Sequence, residues 1–343
     1  MLVPPKYILT PKITEHLQSI EASRQVINSI PLPKEIEANI RRKSTLRSSL
    51  FSARIEGNPL TLQEVTRNPS KDQKKKEVYN ILKGVNWVYK RGVNKDLTIS
   101  DMLTLHKTTM DGLADYENLG KFRKEVSAIF NSAGIAVYMP PPPKQVNPSV
   151  VKLLKFANSA KERFIPIRAC LTHYSFEKIH PFLDGNGRVG RLLTQAILAK
   201  NDYGMKGMLS LEEYLDNHRS EYYSSLETTE KEVSDYLEFM LGAIAETAQQ
   251  AKNEVLAKKN LDVIDLLLPR RAEILNVIRD HKLVNFDTIR RRFIRASEQG
   301  SGAKRKVLMA VNERTLRYDL KRLQDDRLIR KRGTTKGVWY EPT

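Results

Sequence analysis

The strongest constraint on this chain is the segment 180–191, HPFLDGNGRVGR, which interrupts a helical pattern of apolar residues that resumes at once. Gly185 and Gly187 allow positive φ, so successive backbone N–H groups can converge on an anion. A helix that begins near Val189 would turn its positive N-terminal end toward the same point. The segment therefore predicts a helix, a short anion-binding loop and a second helix.

The side chains of this segment extend the same interpretation. Arg188 and Arg191 are three residues apart, so both can reach one side of the loop. Asp184 offers a hard oxygen ligand suited to Mg²⁺, which usually binds one or two carboxylates together with phosphates. His180 is the one nearby group that can accept a proton near neutral pH. Together these residues predict a site for a polyphosphate and a metal ion, with a base beside it.

The segment resembles the Fic-family signature, H-x-F-x-(D/E)-G-N-G-R-x-x-R, and matches each specified position. A chance match in a chain of this length is on the order of 10⁻⁸. The resemblance implies a transferase that moves AMP from ATP to a Ser, Thr or Tyr hydroxyl of a target protein or of itself. His180 would deprotonate that hydroxyl, and Asp184 would hold Mg²⁺ between the α- and β-phosphates. The implied phosphate contacts are Gly185, Asn186 and Gly187, with Arg188 at the β-phosphate and Arg191 at the γ-phosphate.

Residues 122–139 are rich in Val, Ile, Phe and Tyr, and the turn-prone segment 131–134 predicts a hairpin there. With the preceding Gly120-x-Phe-Arg and the prolines 140–143, this stretch resembles the family's flap. Val137 and Tyr138 would then hold a target segment by strand addition. The sequence fits a purely structural hairpin equally well.

Tyr222 and Tyr223 lie where relatives place aromatic contacts to adenine. Relatives often carry an Asn several residues later, whereas this chain has Thr228, Thr229 and Glu230. The resemblance therefore leaves the selectivity for ATP over another nucleotide open. The intact Arg191 disfavours a related kinase that binds its nucleotide inverted.

An upstream segment, from Ser52 to Glu56 and Gly57, resembles the family's inhibitory motif (S/T)-x-x-x-E-(G/N) in its N-terminal form. The Glu56 carboxylate would form a bidentate pair with Arg191 and so take the guanidinium from the γ-phosphate. Gly57 and Pro59 would end the helix just after Glu56. The alternative interpretation is an exposed carboxylate at a helix end.

The C-terminal residues 265–343 hold 20 Lys and Arg against 10 Asp and Glu, a net charge of +10 out of +18 for the chain. Their pattern of three helices and two strands resembles a winged helix-turn-helix. Lys336 and the segment 330–332 would contact phosphate from the wing. The residues that would bind double-stranded DNA are Arg314, Thr315, Arg317, Lys321 and Arg332. Such folds also serve as docking or dimerisation modules, which leaves both roles and a homodimer open.

These patterns predict a mainly α fold: a Fic-type helical core with a β-hairpin flap, plus a C-terminal winged-helix domain. The expected divisions are a helical region 1–96 with the inhibitory motif, a catalytic core 97–248, a linker helix 249–265 and the winged helix 266–343. No apolar run reaches the ~18 residues of a membrane span. The N-terminus lacks the apolar run of a signal peptide, and one cysteine, Cys170, excludes an internal disulfide. A cytoplasmic protein is therefore expected.

Two functions fit the sequence. The first is an autoinhibited protein adenylyltransferase that uses ATP and Mg²⁺. The second is a DNA-binding transcriptional regulator whose Fic domain senses nucleotide or modifies itself. His106, on the helix predicted to begin near Leu97, has no partnering motif and is expected to be solvated or part of the core.

Overall fold

A computed structural model describes residues 3–66, 72–90, 95–130, 136–227, 232–259, 267–298, 312–334 and 337–343. The chain is mainly helical, as the sequence predicts. It divides into two compact units: the first comprises Met1–Ile30 and Ile40–Glu254, and the second comprises Pro31–Asn39 and Val255–Thr343. The finer division into four segments stays a prediction. No helix in the described ranges combines the length and apolar character needed to cross a membrane.

The elements of residues 3–259 are, in chain order, α1 Pro11–Ser29, α2 Lys34–Ile55, α3 Leu62–Thr66, α4 Gln73–Lys90, α5 Ile99–Thr109, β1 Ile129–Phe130, β2 Ala136–Tyr138, α6 Pro143–Ala157, α7 Ile165–Ile179, α8 Asn186–Lys200, a 3₁₀ turn Met205–Gly207, α9 Leu211–Asn217, α10 Arg219–Leu226 and α11 Ser234–Lys259.

Helices α7 and α8 form the centre of the first unit. They pack against each other, with α6 against α7 and with α4 and α5 against α8. All residues of α7 except Ile165 are buried, as expected for a helix with neighbours on all sides. Residues 180–185 form the loop between α7 and α8. Because both helices are packed in the centre of the unit, the two ends of this loop are held in place.

Local sequence signals set several helix ends. Thr98 caps α5 in a capping box with Asp101, which satisfies N–H groups that a helix start leaves unpaired. Helix α8 begins at Asn186, three residues before the predicted start near Val189, because Gly185 itself adopts positive φ as the residue before the helix. The prediction for that boundary was wrong by one helical turn.

The hairpin is shorter than the predicted 122–139. Ile129 pairs with Tyr138 and Phe130 with Ala136, and the predicted turn at 131–134 lies outside the described residues. Residues 122–128 form no strand because the buried Arg123 side chain binds main-chain carbonyls there and beyond, at Glu125, Pro141 and His180. That guanidinium ties residues 122–128 to the prolines after the hairpin and to the loop after α7.

The second unit contains α12 Pro269–His281, β3 Val284–Asn285, α13 Phe286–Glu298, α14 Glu313–Asp325, β4 Ile329–Arg332 and β5 Trp339–Pro342. The strands form an antiparallel sheet in the order β3-β5-β4. Asn312 caps α14 by accepting from the Thr315 N–H. The two-residue strand β3 was not predicted, because so short a segment carries no alternation.

A buried carboxylate organises this unit. Asp319, on α14, is fully buried and pairs with both Arg270 and Arg271 of α12. Arg271 also pairs with Glu35, which ties the segment Pro31–Asn39 to the same unit. A buried charge requires such partners, so this network fixes the packing of α14 on α12.

Candidate active site

The loop between α7 and α8 is closed around the Phe182 ring, which is fully buried. The Asn186 side chain accepts a hydrogen bond from the Phe182 N–H at 2.9 Å and donates to its carbonyl at 2.8 Å. His180, with φ 48°, and Gly185, with φ 80°, make the two left-handed turns that the closure requires. The Asn186 side chain is thus committed to the loop, and phosphate contact from this residue is left to its backbone N–H.

His106 supports the same loop from α5. Its ring stacks on Phe182 with 3.9 Å between centroids. Its Nδ1 accepts from the Gly120 N–H at 2.9 Å, so Nε2 carries the proton and donates to the Asp184 carbonyl at 3.1 Å. Burial lowers the pKa of His106 and keeps it neutral. The sequence offered no motif for this residue, and its role arises only from the packing of α5 on α8.

His180 has a defined tautomer. Its Nδ1 lies 3.3 Å from the carbonyl oxygen of Glu177, and because a carbonyl can only accept, Nδ1 carries the proton. Burial lowers the pKa of His180, with a further contribution from Arg123. The imidazole is therefore neutral near pH 7, and its Nε2 lone pair is available to accept a proton.

His180 lines a cavity of about 790 Å³ in the first unit. The predicted residues that share this cavity are Glu56, Gly57, Val137, Tyr138, Gly187, Arg191, Tyr222 and Tyr223. The structure thus brings parts of the inhibitory motif, the flap and the signature around one space. The predicted residues that do not line it are Ser52, Asp184, Gly185, Asn186 and Arg188. Such a cavity is of the size that encloses a small ligand.

Arg191 is paired with the inhibitory motif. Its Nη2 lies 2.9 Å from Glu56 Oε1, and its Nε and Nη2 donate to the Ser52 hydroxyl and carbonyl at 3.0 Å. The Arg191 side chain is only 2% exposed. Instead of the predicted bidentate pair, the Glu56 carboxylate makes a single contact with Nη2, and Ser52 accepts from Nε and from the same Nη2. Gly57, with φ 95°, turns the chain just after Glu56.

The Glu56 carboxylate also lies against the first turn of α8. A Cβ placed on Gly187 would be 2.5 Å from Glu56 Oε1 and 3.0 Å from Arg191 Nη1. Glycine is therefore required at 187 for this approach. A helix N-terminus favours negative charge, so Glu56 occupies a place suited to an anion.

Arg188 and Asp184 contact each other. Arg188 Nη2 donates to Asp184 Oδ1 at 2.8 Å, and Oδ1 also accepts from the Gly185 N–H. The Asp184 side chain is 63% exposed. The described residues contain no group of three metal-ligating side chains, but one exposed carboxylate beside phosphate oxygens suffices for Mg²⁺. The residues present therefore fit that ion.

The two tyrosines differ in their surroundings. Tyr222 is buried, with its hydroxyl 2.8 Å from His173 Nε2. Tyr223 is 43% exposed and donates to the Ile55 carbonyl at 3.3 Å, and partial burial of its hydroxyl end raises its pKa to about 12. Residues 228–230, where the family's Asn is replaced, lie outside the described residues. The adenine contacts stay a prediction.

Glu177 is a cavity residue that sequence reasoning missed. Burial raises its pKa to about 8, whereas burial lowers the pKa of His173, 3.9 Å away, to about 3. Its Oε1 has no hydrogen-bond partner among the described residues. The signal was available, because Glu177 precedes His180 by three residues in a helical pattern and so shares its side of α7.

In the second unit, the predicted DNA-binding residues are exposed or half-buried. Arg317 pairs with Glu313 and covers the Phe286 ring at 4.1 Å. Thr315 donates to Asn312 and so belongs to the helix cap. Arg332 pairs with Glu341, while Arg314 and Lys321 are exposed. Lys336 lies outside the described residues.

Comparison with known proteins agrees with this geometry. Residues 96–198 match the Fic/DOC family. The chain is 28% identical over 198 residues to protein adenylyltransferase Fic of Drosophila yakuba and 27% identical over 198 residues to that of Drosophila melanogaster. Each alignment covers 54% of this chain and 39% of the relative, so the chain spans about two fifths of the length of these curated relatives.

Solved structures show the same fold. A Fic family protein from Desulfovibrio desulfuricans G20 superposes with a TM-score of 0.64 at 24% identity, over 99% of this chain and 98% of that one. Fic-1 of C. elegans gives 0.58 at 20% identity, over 71% and 72% of the two chains.

Glu177 predicts a pH dependence of stability. Its pKa is about 8 in the native state against 4.5 for an ordinary carboxyl. Between these values the native state keeps a proton that the unfolded chain has released, so Glu177 makes the free energy of unfolding fall as pH rises. In Glu177→Gln the fall in the free energy of unfolding between about pH 5 and pH 8 should be smaller than in the wild type. Urea denaturation at several pH values measures it, with the exposed Glu15→Gln as control. The same pH dependence of the free energy of unfolding in Glu177→Gln and in the wild type would contradict the raised pKa of Glu177.

Proposed function

We propose that this chain transfers AMP from ATP to a protein hydroxyl, on the basis that residues 96–198 match the Fic/DOC family. The observation that carries the proposal is one cavity in which a neutral, oriented His180 lies with Arg191 and the N-terminal turn of α8. A proton acceptor beside a site for phosphates is what attack at phosphorus requires. The curated relatives named protein adenylyltransferase support the same activity.

The reaction follows from the positions of these groups. His180 Nε2 accepts the proton of the target Ser, Thr or Tyr hydroxyl. The freed oxygen attacks the α-phosphorus of ATP, the bond between that phosphorus and the α,β-bridging oxygen breaks, and pyrophosphate leaves. Arg188, Arg191 and the first N–H groups of α8 hold the phosphates in line. Asp184 would hold Mg²⁺, which neutralises phosphate charge when bound.

The flap supports the choice of a protein substrate. Val137 and Tyr138 line the same cavity as His180. Strand β2 is the last strand of a two-stranded hairpin, and a hairpin of this kind can add a third strand from another chain. A target segment paired there would present its hydroxyl beside His180. The target is a separate protein or a second site on this chain.

Replacing His180 tests the transfer step. His180→Ala should abolish incorporation of label from α-labelled ATP, because His180 is the only histidine among the described residues that line the cavity. Binding of ATP should persist, since the phosphate-binding groups remain. His281→Ala, an exposed histidine of the second unit, is the matched control. Undiminished labelling in His180→Ala would defeat the assignment of this residue as the base.

We further propose that Glu56 inhibits the transferase. The Glu56 carboxylate engages Arg191 and lies against Gly187, so it competes with the terminal phosphate for the same donors. ATP bound beside it would be misaligned for attack at the α-phosphorus. Inhibition therefore arises from charge that occupies the phosphate position.

Release of this inhibition is measurable. Glu56→Gly should raise modification of a target, or of the chain itself, several-fold. Glu56→Gln, which keeps the size but not the charge, should give an intermediate rate. The intact mass of the expressed protein reports added AMP, and Glu15→Gly serves as control. Equal rates in wild type and Glu56→Gly would remove Glu56 from the inhibitory role.

The element order and the exposed cations of the second unit favour a second function, DNA binding. Its order of helices and strands resembles a winged helix, and exposed cations lie on α14 and β4. In that arrangement α14 would enter the major groove with Arg314 and Lys321, and the β4–β5 hairpin would contact phosphate through Arg332. The alternative occupant of this surface is another protein.

Salt dependence separates the two occupants. Affinity for duplex DNA should fall by about a hundredfold between 50 and 200 mM salt if about four phosphates are contacted. Arg314→Ala and Lys321→Ala should each reduce affinity and the salt slope, whereas the exposed Lys121→Ala in the first unit should not. Electrophoretic mobility shift over a salt series measures both. Weak retardation insensitive to salt would favour protein docking instead.

A further inference from the structure

Arg188, the arginine assigned above to the β-phosphate, is held by two carboxylates at once. Its Nη2 contacts Asp184 Oδ1 and its Nη1 contacts Glu77 Oε1, each at 2.8 Å. Glu77 lies on α4, which packs directly on α8. The Arg188 side chain is only 7% exposed, so these two contacts set where its guanidinium lies.

The two carboxylates have different freedom. The Asp184 side chain is 63% exposed, lies in the loop and is the residue suited to Mg²⁺. The Glu77 side chain is 15% exposed and extends from a packed helix. A metal ion that engages Asp184 competes with Arg188 for that carboxylate, whereas Glu77 stays in place. Glu77 is thus the partner that Arg188 would keep when a metal ion takes up Asp184.

Glu77 is itself oriented. Its Oε2 accepts from Asn58 Nδ2 at 2.9 Å. Asn58 is buried and is fixed by main-chain groups, since Nδ2 also donates to the Lys74 carbonyl at 2.9 Å and Oδ1 accepts from the Leu60 N–H at 3.1 Å. A hydrogen-bonded chain therefore runs from Asn58 through Glu77 to Arg188. Asn58 follows Glu56 by two residues, so one short segment holds the carboxylate that pairs with Arg191 and the amide that orients Glu77.

The arrangement leaves Arg188 able to bind an anion. A guanidinium has five N–H donors, and the two carboxylates engage only Nη1 and Nη2 at one oxygen each. The Nε is buried and has no hydrogen-bond partner among the described residues, so the donors left for an anion are the second N–H groups of Nη1 and Nη2. A carboxylate that holds an arginine from one edge reduces the rotamer freedom lost when the other donors bind phosphate.

We propose that Glu77 is a positioning residue for Arg188 and that Asn58 orients Glu77 for this task. Glu77 touches neither substrate nor metal; it holds the guanidinium where a β-phosphate would contact it. The inference rests on the proposed function in assigning Arg188 to the β-phosphate. It requires that Glu77 contribute to the binding affinity for nucleotides with a β-phosphate and not to the affinity for AMP.

The test compares two probes in the Glu56→Gly background, which keeps inhibition out of the measurement. The first probe is α,β-methylene-ATP with Mg²⁺, which cannot release pyrophosphate, and the second is AMP. Glu77→Gln should weaken binding of the first about tenfold, the order of effect expected when a supporting contact of a binding group is lost. Affinity for AMP should be unchanged. Isothermal titration calorimetry measures both.

Asn58→Ala provides a second variant that leaves the Glu77–Arg188 contact in place. It should weaken binding of α,β-methylene-ATP, but less than Glu77→Gln does. If Glu77→Gln does not fold, Asn58→Ala alone tests the inference. Glu15→Gln, an exposed glutamate of α1 with the same loss of charge, should change neither affinity.

Three results would overturn the inference: unchanged affinity for α,β-methylene-ATP, tighter binding because Glu77 competes with phosphate, or an equal loss for AMP because the whole site is disturbed. Failure of the proposed function looks different. A Glu56→Gly protein that binds α,β-methylene-ATP but transfers no label from ATP would overturn the transfer activity, while the effect of Glu77 on binding would still support its positioning role.

Discussion

The burial of the Phe182 ring, together with the hydrogen bonds that hold its main chain, is the interaction on which the site depends. Asn186 binds both polar groups of the Phe182 main chain, and His106 stacks on the ring while donating to the Asp184 carbonyl. These contacts fix the loop between two helices that are already packed. The position of His180 and the N-terminal turn of α8 follow from that closure, because each lies at one end of the loop.

A second constraint is charge. Arg188 and Arg191 are both nearly inaccessible to water, and a buried cation requires a partner. The fold supplies carboxylates from the N-terminal region: Glu56 for Arg191 and Glu77 for Arg188. One of these partners lies in the proposed phosphate position and the other does not. This difference in position, rather than in chemistry, underlies the proposed division between an inhibitory and a positioning carboxylate.

The neutral state of the site histidines has a shared cause. Burial lowers the pKa of His106, His173 and His180, and in each ring a hydrogen bond is made to a defined partner. For His106 and His180 the partners determine the tautomer. A neutral imidazole with one committed nitrogen is the form that can take up a proton at the other.

Sequence alone identified the elements of the site whose chemistry is local. The signature's glycines, arginines, aspartate and histidine lie within twelve residues of one another, so their spacing reports their geometry. The inhibitory role of Glu56 could be proposed from its motif. The tertiary structure alone decided the roles of His106, Glu77 and Asn58, because each acts across a contact between segments that are separated in sequence. The tertiary structure also decided that 122–128 is not a strand. The buried Arg123 side chain binds main-chain carbonyls there and after the hairpin, and intrinsic strand propensity does not predict such contacts. A local sequence pattern indicates the secondary structure and the chemistry that a segment can have. Which hydrogen-bond partner each polar group has depends on how the segments pack together.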